Sequence, residues 1–290
     1  MERNNPFFRA FHDACYFNDL SKPQEAIATG RLTDEDLDEG LQLATLMAHA
    51  DIVTALFAAG ARVTTRATGA LPGENNNQDP DIIRQFLERG LDPNARLSSG
   101  EPLLPMVLNP AGATVLLSAR ADPNLRGPRG IAPLARAIVG TCEPDTSLLE
   151  LYLANGAKLE PVLLSYAVTP RVQQNEVMTR FLLDRGVDPN GPFTDAGGRG
   201  VDYWGTPLHC AVWRGRVDLV KLLLEAGADP DVVAGRRKFG TKAPAEVAER
   251  VGHRERREEI HGLLQSYSRR EPSNEPIRAG WKVVLLRVLR

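Results

Sequence analysis

A histidine stands directly beside a cysteine in the stretch GTPLHCAVWRGRVDLVKLLLEAGADPD, Gly205 to Asp231. A thiol next to an imidazole can act as a nucleophile with its general base, and the same two side chains can ligate a metal ion. The three cysteines, Cys15, Cys142 and Cys210, are widely spaced and match neither a zinc-binding pattern nor a disulfide framework. The chemistry of His209 and Cys210 therefore depends on whether the fold alone accounts for them.

One signature recurs along the chain: an apolar helical run, then a glycine, then a short turn of the Asp-Pro-Asn type. The intervals between successive glycine markers are 30, 30, 30, 36, 30 and 41 residues, so a basic unit of 30 is expanded twice. Each unit predicts a helix, a turn, a second helix and a loop, and no unit can bury its apolar face without neighbours. The markers are Gly30, Gly60, Gly90, Arg120 in place of glycine, Gly156, Gly186 and Gly227.

Residues 205–231 resemble the ankyrin repeat family, because they match its Thr-Pro-Leu-His-x-Ala signature with Cys210 at the variable position. The stretch Ile131 to Val139 keeps Pro-Leu and Ala but has Ala135 for the histidine, and the stretch after Gly240 reads as a more polar closing repeat. The resemblance implies an all-α, ankyrin-type solenoid of stacked helix-turn-helix repeats with protruding loops. We expect about eight repeats, several of them degenerate, over residues 1–265.

The register of the repeats decides between the roles of His209. His209 precedes Gly227 by 18 residues, and His12 precedes Gly30 by the same 18, whereas Cys210 corresponds to Asp13. The histidine position therefore recurs and the Cys/His pair does not. In the ankyrin family this histidine ties the turn to the helix through hydrogen bonds. We predict a structural His209, and no catalytic residue, metal or cofactor.

The longest expansion, residues 190–205, precedes the best-matching repeat and ends in Asp-Tyr-Trp. The resemblance places this loop, and the first-helix position of Trp213, on the concave face that binds partners. Aromatic and Arg side chains dominate binding hot spots. The alternative is that Trp213 only packs against the long loop. A further loop, VAGRRKFG, adds basic residues beside a phenylalanine. The predicted partner-binding residues are Asp202, Tyr203, Trp204, Trp213, Arg214, Arg236, Arg237 and Phe239.

Two segments depart from the repeat pattern. The third unit should form its first helix near Leu71 to Asn77, but reads LPGENNNQ, whose residues are poor in helix interiors. This stretch predicts a degenerate helix or loop, or a gap in the stack that forms a groove. Residues 266–290 predict a polar linker and an amphipathic tail, WKVVLLRVLR, which either docks on the array or stays unstructured. Binding of that tail to a partner or to a membrane surface is a further alternative.

Composition and charge exclude several classes of protein. The chain is 42% hydrophobic and 25% charged, as expected of a folded protein, and no apolar stretch approaches the roughly 18 residues of a membrane span. Residues 1–235 carry a net charge of -9 and the remainder carries +7. The N-terminal residues do not have the pattern of a secretory signal, and the cysteine usage favours a reducing, intracellular compartment, cytoplasmic or nuclear.

These observations predict a non-catalytic protein–protein interaction module that binds another protein through its concave face and loops. The sequence contains no phosphate loop, zinc-type histidine pair, nucleophile elbow or Rossmann glycine pattern. Nucleic-acid binding is not expected from one short basic run. The alternative is an enzyme or small-ligand-binding protein with a cleft under residues 190–205, in which Asp195, Asp202 and Tyr203 supply acid and base groups.

Overall fold

The computed structural model describes residues 6–74, 78–141, 145–170, 172–191, 205–233 and 242–269. Within these ranges the regular structure is helical, and one isolated antiparallel bridge joins Arg96 to Pro102 in a loop. The all-α prediction is confirmed. The helices of the described residues form eight successive pairs: α1 (Pro6–Phe17) and α2 (Ser21–Ala28), α3 (Asp34–Leu46) and α4 (Ala50–Ala58), α5 (Thr65–Ala70) and α6 (Pro80–Glu88), a 3₁₀ turn (Leu104–Met106) and α7 (Pro110–Ser118), α8 (Pro133–Gly140) and α9 (Ser147–Ala154), α10 (Val162–Ala167) and α11 (Asn175–Leu183), α12 (Pro207–Trp213) and α13 (Val217–Glu225), and α14 (Pro244–Ala248) and α15 (Arg254–Ser268).

The second helix of a pair ends in a left-handed residue at the marker position. Gly227 has φ 91°, and the amide N–H groups of Gly227 and Ala228 donate to the carbonyls of Leu224 and Leu223 at 3.1 and 2.9 Å. This pattern satisfies carbonyls that the end of the helix would otherwise leave without a donor. Arg120 takes the same conformation, with φ 70°, although an L side chain is strained there. The substitution in the repeat pattern therefore changes the residue and keeps the backbone geometry.

Proline and short polar residues begin several helices. Pro80 and Pro110 are the opening residues of α6 and α7, where the missing N–H costs no helical hydrogen bond. The carboxylate of Asp79 accepts from the Asp81 amide at 2.7 Å, and the Asn109 side chain accepts from the Ala111 amide at 2.8 Å. These caps fix where each helix starts, and so fix which face turns toward the core.

The chain divides into two compact units, residues 1–201 and 202–290. In the first unit α1 contacts α3, and α3 contacts α5, so the first helices of consecutive pairs stack. Gly40 of α3 allows this approach, because a Cβ there would lie 2.7 Å from the Phe11 ring. In the second unit α12 contacts α13 and α14, and α13 contacts α15. Leu208, Val220 and Leu223 are fully buried in that unit.

Two first helices differ from the regular pattern. The repeat interval puts the first helix of the third pair near Leu71 to Asn77, where we predicted a degenerate helix or loop, and the described part of that stretch, residues 71–74, contains no α-helix. The first helix of this pair, α5, forms earlier, at Thr65–Ala70, and starts with the Thr64 hydroxyl accepting from the Ala67 amide at 3.1 Å. The groove predicted there as an alternative is not tested, since residues 75–77 lie outside the described ranges. The first helix of the fourth pair is reduced to the 3₁₀ turn, which contains Pro105. Proline has no amide hydrogen to donate to a helical ladder.

The last helix extends past the predicted end of the array. We placed that end at residue 265, but α15 continues to Ser268, where the hydroxyl donates to the Asp231 carboxylate at 2.7 Å. Residues 270–290, which include the predicted amphipathic tail, lie outside the described residues. In the part of the chain that is described, no helix is long and apolar enough to cross a membrane.

Candidate functional site

His209 is a fully buried residue of α12 whose two ring nitrogens both have partners. Nδ1 lies 3.2 Å from the Thr206 amide and 2.8 Å from the Thr206 hydroxyl. A backbone N–H can only donate, so Nδ1 is the acceptor and Nε2 carries the proton. Nε2 lies 3.1 Å from the carbonyl of Lys242, at the start of the next repeat. His209 therefore connects the cap of its own helix to the following repeat.

The charge state of His209 agrees with this structural role. Burial lowers the pKa of the imidazole below its usual value of 6.5, and the hydrogen bond to the Lys242 carbonyl opposes that shift. Cys210 is 2% exposed. Because the ring of His209 is neutral and bonded to backbone groups, the adjacent side chains do not present a nucleophile and a base to solvent. No group of three or more His, Cys, Asp or Glu residues in the described ranges is arranged to hold a metal ion.

Trp213 and Arg214 lie where α12 ends, and they contact each other. The Arg214 guanidinium carbon is 4.4 Å from the centroid of the indole ring, which is a cation–π arrangement. Every other residue of α12 is buried, whereas Trp213 is half-buried and Arg214 is exposed. The turn at Gly215, which follows Arg214, packs closely against Val251, since a Cβ added at Gly215 would lie 3.1 Å from the Val251 side chain. The structure thus brings together two of the eight predicted partner-binding residues.

The other six predicted residues have no described position. Asp202, Tyr203 and Trp204 fall in residues 192–204, and Arg236, Arg237 and Phe239 fall in residues 234–241; both segments lie outside the described ranges. The cleft considered as an alternative site, under residues 190–205, involves the first of these segments.

The first repeat has an aromatic pair at the position equivalent to Trp213 and Arg214. Tyr16 and Phe17 end α1, their ring centroids are 5.0 Å apart, and Phe17 is 73% exposed. Asn18 follows with φ 63°, as Gly215 follows Arg214 with φ 64°. The predicted partner-binding residues do not include Phe17. Phe17 lies as many residues before the marker Gly30 as Arg214 lies before the marker Gly227. Counting back from these glycines would therefore have identified Phe17.

Comparisons with known proteins agree with this architecture. The ankyrin repeat family model matches residues 205–234. Over 128 residues the chain is 35% identical to the mouse 2-5A-dependent ribonuclease, a match that covers 43% of this chain and 13% of the ribonuclease. Over 47 residues it is 45% identical to the human transient receptor potential cation channel subfamily A member 1, which covers 16% of this chain and 4% of the channel protein. The chain thus spans a small part of both curated relatives.

Two solved structures share the fold. The ankyrin repeat domain of human ASB11 has a TM-score of 0.53 and 22% identity, and the alignment covers 71% of this chain and 83% of that domain. An ankyrin repeat domain from Acinetobacter baumannii has a TM-score of 0.51 and 24% identity, with 69% and 96% covered. At these identities the likeness establishes the fold alone. Together with the helix pairs, the buried His209 and the match of residues 205–234 to the family model, it shows that the chain has the ankyrin repeat fold.

Proposed function

We propose that this chain is a non-catalytic module that binds another protein through a surface containing Trp213 and Arg214. Ankyrin repeats are in general protein–protein interaction modules. The observation that supports this surface is the Trp213–Arg214 pair, an indole kept half-exposed under a guanidinium at the end of an otherwise buried helix. Trp and Arg are the residue types that most often carry the binding energy of an interface.

The remaining predicted residues complete the proposed surface. In the sequence, Asp202, Tyr203 and Trp204 precede α12, and Arg236, Arg237 and Phe239 lie between α13 and α14. Both segments flank the repeat that carries Trp213. We propose that the binding surface lies on the concave face of that repeat and that these six residues contact the same partner.

We also propose that the module has no enzymatic activity of its own and works in a reducing, intracellular compartment. His209 is committed to hydrogen bonds with backbone and a capping residue, and the two cysteines in the described residues, Cys15 and Cys210, are buried as free thiols. Burial raises the pKa of the Cys15 thiol to about 12, which keeps it protonated and unreactive. The ribonuclease activity in the name of the mouse relative is not proposed for this chain, which covers 13% of that protein.

The test is affinity capture with the full-length chain and two variants. The double variant Trp213→Ala/Arg214→Ala removes the proposed contact, and Lys221→Ala, an exposed residue of α13, is the matched surface control. We expect the wild type and Lys221→Ala to retain the same partner protein and the double variant to lose it. Circular dichroism should show equal helicity for all three. Retention of the partner by a folded double variant would contradict the proposed surface, and the absence of any specific partner would contradict the function.

A further inference from the structure

The shortened first helix of the fourth repeat is held by a specific buried contact. Pro102 precedes Asn109, the residue that caps the following helix, by seven residues, whereas Pro207 precedes the equivalent Arg216 by nine. The segment from the proline to the cap is therefore two residues shorter in the fourth repeat. This shortening, together with Pro105, leaves room for only one 3₁₀ turn. The Tyr152 hydroxyl of α9 donates to the Leu104 carbonyl at 3.1 Å, and both residues are buried.

A shallow depression lies beside the 3₁₀ turn, between residues of the fourth and fifth repeats, and it is open to solvent. Pockets that hold a whole small molecule enclose about 300–1,000 Å³. This depression is far smaller, so it offers a partner a surface for a side chain to lie against rather than a cavity to fill. The depression, named the Pro105 notch below, is lined by Glu101, Pro105, Met106, Arg129, Ile131 and Arg136.

The Pro105 notch has two exposed arginines above an apolar floor. Arg136 places one guanidinium nitrogen 3.0 Å from the Met106 sulfur, a weak acceptor that leaves its other donors available. Among the described residues, no carboxylate pairs with Arg129 or Arg136. Arg126 nearby behaves differently, because it donates to the Gly130 carbonyl at 2.5 Å and pairs with Glu160. The notch therefore combines unused guanidinium donors with apolar surface.

Glu101 is the acidic member of the lining. Its carboxylate lies directly over Gly127, where a Cβ would collide with it. It opposes the two positive charges in part, so the notch keeps an excess of one positive charge. Removing the charge of Glu101 should therefore increase the attraction for an anion.

The surrounding charge limits the size of the anion. Residues 96–136 contain five arginines and two acidic residues, whereas the first unit as a whole, residues 1–201, has 18 Lys and Arg against 25 Asp and Glu, a net charge of -7. A long polyanion such as a nucleic acid would meet repulsion over most of this unit. A single carboxylate with an aliphatic neighbour meets two arginines, the one opposing charge of Glu101 and the apolar residues of the notch.

We propose that the Pro105 notch binds an acidic side chain of a partner protein that has an aliphatic side chain next to it. The carboxylate accepts hydrogen bonds from Arg129 and Arg136, and the aliphatic group covers Met106 and Ile131. Charge-assisted bonds of this kind give orientation as well as affinity. The inference rests on the proposed function, since it names the chemistry of the protein partner, and it assigns that contact to the first unit of the chain.

The test uses the full-length chain and a fluorescein-labelled peptide, GLEDLG, followed by fluorescence anisotropy, with the neutral peptide GLQNLG as the comparison. We expect saturable binding of GLEDLG that weakens with added salt, and about fivefold weaker binding after Arg129→Gln or Arg136→Gln. Glu101→Gln should strengthen binding. Arg62→Gln, an exposed arginine of another loop in the same unit, is the charge-matched control and should bind as the wild type does.

Three results would overturn the inference: equal binding of GLEDLG and GLQNLG, an equal loss in Arg62→Gln and Arg129→Gln, or tighter binding of a single-stranded oligonucleotide than of the peptide. The partner captured with the wild type separates this inference from the proposed function. If that partner binds the Arg129→Gln/Arg136→Gln variant with unchanged affinity, the notch assignment fails and the binding function stands. If the peptide binds as expected and no partner exists, the proposed function fails instead.

Discussion

At the scale of single residues, His209 shows how a side chain typical of enzymes can be committed to the fold. Its Nδ1 accepts from the cap of α12, and its Nε2 donates to the Lys242 carbonyl of the next repeat. A buried group with two such bonds leaves unsatisfied backbone partners behind when it is removed. Removal of the His209 side chain should therefore lower the stability of the fold rather than remove an activity.

We therefore expect His209→Ala to lower the free energy of unfolding by about 1–3 kcal/mol. The reason is the loss of two hydrogen bonds together with an unfilled buried site. Urea denaturation followed by circular dichroism measures the change. A variant that is as stable as the wild type but loses its partner would show that His209 contacts the partner instead.

The same residue gives the protein a pH dependence with a defined sign. The folded state lowers the pKa of His209 below 6.5, so the unfolded chain takes up a proton that the folded chain does not. The stabilisation is fully present above pH 6.5 and declines as the pH falls below that value. We expect the urea midpoint to drop between pH 7.5 and pH 5, and to drop less in His209→Gln. If the urea midpoint changed with pH in the same way in both proteins, the pH dependence could not be assigned to His209.

Arg120 provides a second test at this scale, because it occupies the left-handed position that glycine fills in other repeats. A left-handed L residue costs about 1–2 kcal/mol, and the greater freedom of an unfolded glycine offsets about 0.4–1 kcal/mol. We expect Arg120→Gly to stabilise the fold by roughly 0.5–1 kcal/mol. The reciprocal change, Gly90→Ala at φ 90°, has open space for its Cβ and should destabilise by a similar amount. A lower melting temperature for Arg120→Gly, or a higher one for Gly90→Ala, would rule out this explanation.

At the scale of elements, asparagine side chains link consecutive loops of the first unit. The Asn124 amide donates to the Gly156 carbonyl and its oxygen accepts from the Lys158 amide, both at 2.9 Å. Asn94 does the same one repeat earlier, accepting from the Asp122 amide at 2.8 Å. The Asp-Pro-Asn turn is therefore a connection between repeats as well as a local turn.

We expect Asn124→Ala to lower the free energy of unfolding by about 1–2 kcal/mol, since two hydrogen bonds between repeats are lost. Asn155→Ala is the matched control, because the Asn155 side chain bonds only within its own repeat, to the Leu151 carbonyl at 2.8 Å. It should cost less than about 0.5 kcal/mol. If both variants lost the same free energy of unfolding in chemical denaturation, the hydrogen bonds between loops would contribute no extra stability.

The regular elements could be predicted because each depends on a local requirement that is visible in the sequence. A left-handed helix end favours glycine, and Thr-Pro-Leu-His combines a cap, a first-turn proline and a buried histidine. The irregular elements could not be placed this way. The position of α5 was missed because the Thr64 cap occurs earlier than the repeat interval predicts, and the 3₁₀ turn at Pro105 depends on a distant bond from Tyr152.

At the scale of the whole molecule, each of the two units keeps its helix pairs buried and leaves side chains accessible where a first helix ends. These side chains are Phe17 in the first unit and Trp213 and Arg214 in the second. The sequence identified Trp213 and Arg214 because indoles and arginines stand out beside a long insertion. Phe17 was missed because its exposure follows from its position at the helix end rather than from its type.

The most direct test of the binding function is an isothermal titration of the captured partner into the full-length chain. Trp213→Ala removes a half-buried indole, and truncation of a hot-spot residue costs about 2 kcal/mol, so the dissociation constant should rise by roughly 30-fold. Lys221→Ala on α13 should leave it unchanged. An unchanged dissociation constant for a folded Trp213→Ala protein would contradict the claim that this surface binds the partner.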